Sequence, residues 1–201
     1  MIYLLTVLCT YALCELLLVK VVKCEKTIQI RHDLSLLFAI MVIILGAVKI
    51  NAIRTDLGVK TVLGIFVGIM LFEALCDLRN KYIYSVFMYG YFFLSVSFIL
   101  CRGKLELVSS GMFIGIIAVN IIIGYILKMY GNGDTLSFIA IVINCYMVFQ
   151  KNFMVRYFVI HLLALILFLF VHLKDFFRSK KKEKSKHPLV PEILIAYLVI
   201  L

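Results

Sequence analysis

The sequence predicts an all-α protein, a polytopic transmembrane bundle of about eight helices in one integral-membrane domain over residues 1–201. Hydrophobic residues make up 64% of the chain and the mean hydropathy is +1.10, far above the apolar share of roughly half that is typical of soluble domains. The apolar residues are gathered into blocks that short charged segments separate. These blocks leave almost no chain for a soluble domain.

Each block is interpreted as a helix, because crossing a hydrocarbon core of about 30 Å takes about 20 apolar residues. The first block has nothing basic before it and no small-x-small cleavage site before Lys20, so it is expected to be a retained span. The second, sixth and last blocks are short, which leaves open seven spans, or helices buried within the bundle. In chain order the blocks are Ile2–Val19, Leu34–Val48, Val62–Cys76, Tyr82–Leu100, Leu105–Ile126, Leu136–Phe149, Phe153–Leu173 and Leu189–Leu201.

The charge pattern predicts which side of the membrane each loop faces. The net charge is +10, and 14 of the 21 Lys and Arg residues lie in one set of alternate loops. Cytoplasmic loops carry such an excess, so we expect a plasma-membrane protein with this set inside and both termini outside. The basic run 178–186, in this set, is expected to touch anionic lipid. The positive charge is therefore interpreted as anchoring to the lipid bilayer, and nucleic acid is not expected as a partner.

The sequence lacks the common patterns of metal, cofactor and thiol chemistry. The six cysteines form no CxxC pair, and HExxH, GxSxG, Walker and dinucleotide motifs are missing. Cys76 adjoins Asp77, but a buried cysteine usually behaves as a small hydrophobe. His161 and His172 fall on one helix about 16 Å apart, too far to share a metal. We therefore expect no metal and no cofactor.

Two aspartates lie at the ends of long apolar blocks. Asp77 stands in the run LCDLRNKYIY and Asp134 in GNGDTLSF. A carboxylate at this depth is costly, so it is a functional-site hypothesis by default. Asp77 ends the third block and Asp134 begins the sixth, and two crossings between them place both at the cytoplasmic face. The pattern favours a catalytic pair that shares one proton, with one carboxylate as general base and the other as acid.

The residues around each aspartate also admit structural interpretations. Gly131 and Gly133 support the motif, because glycine allows backbone conformations closed to other residues and close approach of a peptide. Alternatively, they form an ordinary turn in which Asp134 caps the next helix. Asp77 could instead be a surface group beside Arg79 and Lys81, where an ion pair is worth little.

Glu73 lies four residues before Asp77, on the same helical face and one turn deeper. It is a candidate for tuning Asp77, because a nearby negative charge disfavours a second one. The alternative, held equal, is a hydrogen bond to a neighbouring helix through Asn120 or Asn144.

The two motifs resemble those of the type IV prepilin peptidase family and its preflagellin relatives. That family pairs an aspartate in a stretch like D-x-x-x-x-x-I-P-N with a Gly-x-Gly-Asp motif two spans later. Here the first stretch begins at Asp77 and keeps the isoleucine, with Tyr84 and Ser85 in place of proline and asparagine. The second motif is intact, with Leu136 where a lysine is common. These departures leave open the substrate preference and whether the chain is active.

The resemblance covers about residues 55–201 and includes a Pro-containing last block that follows His187. It implies an integral-membrane aspartyl endopeptidase, with Asp77 and Asp134 catalytic, that removes the short basic leader of a pilin-like precursor at the cytoplasmic face. The CxxC insert of larger members is missing, so the compact form without methyltransferase activity is implied. The precursor, the system that it serves, the protonated aspartate and the oligomeric state are left open.

Two other functions fit the same acids. A presenilin-like protease also uses a Gly-x-Gly-Asp aspartate, but its first aspartate usually follows a tyrosine, where this chain has Cys76. A small transporter could use Glu73, Asp77 and Asp134 as cation or proton ligands. The sequence shows no internal repeat of the kind common in transporters.

Overall fold

The computed structural model describes residues 2–22, 32–80, 85–102, 107–178 and 189–201. Within these ranges the chain is all-α, as predicted, and forms eight α-helices without a strand. A π-helical turn, Ile122–Ile126, follows α5, and a 3₁₀ turn, Gln150–Asn152, precedes α7. The helices are α1 Ile2–Val22, α2 His32–Ala52, α3 Leu57–Asn80, α4 Ser85–Arg102, α5 Leu107–Ile121, α6 Asn132–Phe149, α7 Phe153–Arg178 and α8 Val190–Ile200.

Among the described residues, four helices are long and apolar enough to cross a membrane: α3, α4, α6 and α7. The surface supports the same conclusion, because large apolar side chains are exposed on α1, α2, α4, α5 and α7, among them Leu5, Leu37, Phe93, Ile114 and Phe170. Water would not tolerate apolar patches of this extent on a monomer. Helix length and surface composition therefore indicate a membrane protein.

The helices divide into an inner and an outer group. α3 and α6 are largely buried, whereas α4 and α7 are largely exposed. α8 is also inside, packed against α2, α3, α6 and α7. Its 11 residues rise about 16 Å, roughly half of a hydrocarbon core. The three inner helices are the ones that carry the acidic residues of the candidate site.

Small residues allow α1 to pack closely on α3. A Cβ added to Gly68 would lie 2.9 Å from both Thr10 Cβ and the Val7 carbonyl oxygen, and one added to Gly64 would overlap Thr6. Gly64 and Gly68 are four residues apart and therefore share one face of α3. Close backbone approach at such a pair is a common way for helices to associate in lipid.

Charged side chains hold the ends of two inner helices, on the side away from the acids. Asp56 accepts a hydrogen bond from the Val59 N–H at 2.9 Å, capping the start of α3, and pairs with Arg102. At the end of α8, Lys49 donates to the Val199 carbonyl at 2.7 Å and Arg156 to the Ile200 carbonyl at 3.4 Å. Cations at a helix C-terminus complement its dipole.

Two helices begin earlier than their apolar blocks predicted. α3 begins at Leu57 rather than Val62, and α6 begins at Asn132 rather than Leu136. The apolar blocks miss these turns because helical first turns accept polar and glycine residues when their N–H groups are capped. As a result, Asp134 lies inside the first turn of α6 rather than before it. The segments with Tyr84, His187 and most of the basic run 178–186 lie outside the described residues.

Candidate active site

Asp77 lies three residues before the end of α3 and is 5% exposed. Its Oδ2 accepts hydrogen bonds from the backbone N–H groups of Leu189, at 3.2 Å, and Val190, at 3.3 Å. These are the N-cap and first residues of α8, so the carboxylate sits at a helix N-terminus, where N–H groups and the dipole favour an anion. Asp77 is thus a buried group of the site and not the surface group that the alternative interpretation describes.

Asp134 is the third residue of α6, after the N-cap Gly131. Its Oδ2 accepts a hydrogen bond from the Gly131 N–H at 3.2 Å. This is the bond of a capping box in which the N3 side chain accepts from the N-cap backbone. Its Oδ1 is buried and has no hydrogen-bond partner among the described residues. The capping alternative therefore describes one oxygen of Asp134 and leaves the second available for chemistry.

The structure brings the two aspartates together. Asp77 near the C-terminal end of α3 lies close enough to Asp134 in the first turn of α6 for the charge of one carboxylate to act on the other, so these two helix ends lie at the same end of the bundle. Two like charges in a poorly solvated site repel each other strongly. A state in which the pair holds one proton is therefore favoured over one in which both groups are ionised.

The glycines of the motif do not take the unusual conformations that were expected. Gly131 has φ −65° and ψ 155°, which any residue adopts, and Gly133 lies within the first turn of α6. Gly131 is instead favoured by the lack of space for a side chain, because a Cβ there would lie 3.0 Å from Asp134 Oδ2, the oxygen that caps the helix. The residue with left-handed φ in this loop is Lys128, at φ 51°.

Glu73 is fully buried, and its charge acts on Cys14 of α1. The amide donors of the two asparagines proposed as its partners do not bond Glu73 in the described structure, because Asn120 Nδ2 donates to the Ile116 carbonyl at 2.8 Å and Asn144 Nδ2 has no hydrogen-bond partner among the described residues. Tuning of Asp77 by Glu73 stays a prediction.

Sequence reasoning missed a third carboxylate at the site, Glu192. It lies in the first turn of α8, is 6% exposed, and its charge acts on both Asp77 and Asp134. Its Oε1 lies 3.8 Å from His172 Nε2 on α7. The signal available in the sequence was a glutamate after proline inside an otherwise apolar last block, where an acid is costly.

A partly buried hydrogen-bond chain connects the loop before Asp134 to α7. Tyr157 donates to Asn120 Oδ1 at 2.7 Å and contacts His161 Nδ1 at 3.2 Å, while Tyr130 contacts His161 Nε2 at 3.0 Å. The Tyr157 hydroxyl donates its proton to Asn120 Oδ1, so it can only accept a hydrogen bond from His161. A neutral His161 therefore carries its proton on Nδ1 and accepts a hydrogen bond from the Tyr130 hydroxyl at Nε2. The ring of Phe138 stacks on the imidazole at 4.2 Å. Tyr130, next to Gly131, is thereby fixed.

Two of the residues that depart from the prepilin peptidase pattern, Leu136 and Ser85, are described by the structure and differ in their burial. Leu136 is buried in α6, where a lysine would need a partner. Ser85 is half-buried at the start of α4.

Among the described residues, no three His, Cys, Asp or Glu side chains are grouped so that they could hold a metal ion. Comparisons of the chain with protein-family models, with curated proteins and with solved structures find no match.

Proposed function

We propose that the chain is a membrane-embedded aspartyl endopeptidase with Asp77 and Asp134 as its catalytic dyad. The observation that carries the proposal is the meeting of these aspartates at one end of the two largely buried helices, with one buried oxygen of Asp134 left without a partner among the described residues. Buried polar atoms are nearly always hydrogen-bonded, so an exception calls for a functional explanation.

The contacts of the two carboxylates suggest how they divide the work. Asp77, held by two N–H donors, is the general base that takes a proton from a water molecule, whose oxygen attacks the scissile carbonyl carbon. Protonated Asp134 donates a hydrogen bond to the carbonyl oxygen as negative charge develops there. When the C–N bond breaks, the leaving nitrogen takes up a proton from the dyad and the carbonyl re-forms as a carboxylic acid. The dyad then returns to holding one proton.

A pilin-like precursor is the substrate class that we propose. Such a precursor has a short basic leader in the cytoplasm and an apolar helix in the bilayer, and it is cut at their junction. A dyad at one end of the bundle, rather than at its middle, suits a bond at the membrane surface. The resemblance of the two aspartate motifs to prepilin peptidases supports the same class.

Co-expression with pilin-type precursors tests this proposal. The variants Asp77→Asn and Asp134→Asn keep an amide oxygen that can accept the backbone N–H bonds of α8 and Gly131, so both should still insert. Glu15→Gln, which alters an exposed carboxylate hydrogen-bonded to Tyr11, is the matched control. We expect cleavage at the leader junction by the wild type and the control, read by mobility shift and N-terminal sequencing, and none by either dyad variant. Cleavage that survives both substitutions would exclude the dyad.

A proton-coupled transporter is the second candidate, favoured by the number of buried acids. Glu73, Asp77 and Glu192 are each at most 6% exposed, and His172 adjoins Glu192. Interior chains of carboxylates and histidine serve as proton paths in pumps and transporters. Proton uptake into proteoliposomes, lost in Asp134→Asn and unaccompanied by precursor cleavage, would favour this candidate.

A further inference from the structure

Glu192 is placed to act on the dyad without belonging to it. It lies two residues beyond the Val190 N–H that Asp77 accepts, so the same helix turn that binds Asp77 also presents Glu192. Its carboxylate is close enough to both aspartates for its charge to act on each. The site therefore gathers three carboxylates on three inner helices, α3, α6 and α8.

Because Glu192 is paired with His172, the protonation state of His172 determines how much of the negative charge of Glu192 reaches the dyad. Oε1 faces the imidazole at 3.8 Å, and Oε2 is buried without a hydrogen-bond partner among the described residues. A protonated His172 would neutralise Glu192, and a neutral one would leave its negative charge to act on the dyad. Both side chains are mostly buried, so solvent screens this interaction poorly.

Among the side chains that the structure describes, the other helices packed on α8 add few competing charged groups. From the described residues, α3 contributes Asp77 and α6 contributes Asp134 at the same end. Lys49 of α2 and Arg156 of α7 lie at the opposite end, on the last carbonyl groups of α8. His172 is thus the cationic group that the described structure places against Glu192.

On the basis of the proposed function, we propose that Glu192, held by His172, is a positioning residue that sets the pH at which the Asp77–Asp134 dyad holds one proton. The negative charge of an ionised Glu192 makes it harder for the dyad to lose its shared proton. The pH range in which the dyad holds one proton, and in which the enzyme is active, therefore moves up toward neutral pH. A protonated His172 opposes this effect by neutralising Glu192.

The pH dependence of precursor cleavage by the full chain in membranes tests the proposal. Glu192→Gln removes the charge with little change of shape, and its cleavage maximum is expected about one pH unit lower than that of the wild type. His172→Asn removes the opposing cation, and its maximum is expected to move to higher pH. The double variant should behave as Glu192→Gln, because His172 acts through Glu192.

Two controls separate a charge effect from a structural one. Glu192→Asp keeps the charge and is expected to keep the wild-type maximum, and Glu15→Gln removes an exposed carboxylate on α1 and should leave the profile unchanged. A Glu192→Gln enzyme that is slower at every pH without a displaced maximum would overturn the proposal. If Glu192→Gln does not accumulate in the membrane, the shift of His172→Asn decides alone. Wild-type enzyme that cleaves no precursor would instead count against the proposed function.

Discussion

At the scale of single residues, each aspartate has a structural role besides its proposed chemical one. Asp77 caps α8, and Asp134 caps its own helix through the Gly131 N–H. Loss of catalysis on substitution is therefore not enough to identify a catalytic group, because a lost cap also disturbs the fold. Paired variants that keep or remove the acceptor oxygen separate the two roles.

Asp77→Ala is expected to destabilise the protein, whereas Asp77→Asn is not. Alanine leaves the Leu189 and Val190 N–H groups without their acceptor in a buried setting, at a cost of about 1–3 kcal/mol. Asparagine keeps an oxygen there. Thermal unfolding of the purified protein in detergent checks this, and equal melting temperatures for the two variants would contradict the capping role.

Tyr130→Phe is expected to slow precursor cleavage about fivefold, with little change in expression. The variant keeps the ring that packs on Phe138 at 5.5 Å but loses the hydroxyl that donates to His161. A lost hydrogen bond of about 1 kcal/mol corresponds to that factor. Tyr11→Phe, which removes an exposed hydroxyl contact to Glu15, is the control for cleavage rates. Equal rates for the two variants would mean that the chain through His161 does not position the loop.

At the scale of elements, the site depends on how closely the π-helical turn after α5 approaches the start of α6. Gly124, in the π-helical turn, faces Thr135, and a Cβ there would come within 2.7 Å of Thr135 Cβ. Thr135 cannot easily give way, because its N–H and its hydroxyl both bond the Gly131 carbonyl at 3.0 Å. A methyl group at Gly124 should therefore displace the first turn of α6 and, with it, Asp134.

Gly124→Ala is thus expected to reduce cleavage at least tenfold, since small misplacements of catalytic groups are costly. Gly115→Ala is a matched control on α5, because nothing lies within 4 Å of a Cβ added there. Relative cleavage rates at equal membrane levels provide the measurement. A Gly124→Ala variant that cleaves the precursor at the wild-type rate would show that α6 tolerates the shift.

The sequence predicted the number and order of the helices because apolar blocks of sufficient length have few alternatives in a membrane. It could not predict which helices lie inside. The span Phe153–Leu173 of α7 has a mean hydropathy of 2.4 and is largely exposed, whereas α6 has 1.3 and is largely buried. Lipid and the protein interior select the same apolar residues, so hydropathy does not distinguish an outer helix from an inner one. The contact of Asp77 with Leu189 joins residues 112 positions apart, and tertiary packing alone places them together. Glu192 was missed for that reason.

At the scale of the whole molecule, the acids gather at one end of the bundle and the cations that hold α8 lie at the other. Asp77, Asp134 and Glu192 occupy the first end, whereas Lys49 and Arg156 occupy the second. Lys49 and Arg156 belong to the loop set with fewer basic residues, which the positive-inside rule places outside. The hydrogen bonds of Lys49 and Arg156 to α8 thus explain why basic residues stand at these two positions, whichever side of the membrane they face.

The predicted orientation can be tested with two cysteines. Cys101 is exposed near the end of α4 that pairs, through Arg102, with the start of α3, and so lies at the end away from the dyad. Cys24 belongs to the basic loop after the first block, which the charge count places inside. In variants that keep one of these cysteines, a membrane-impermeant maleimide is expected to label Cys101 in intact cells and Cys24 only after permeabilisation. The reverse pattern would place the dyad outside the cell, where a cytoplasmic leader could not reach it.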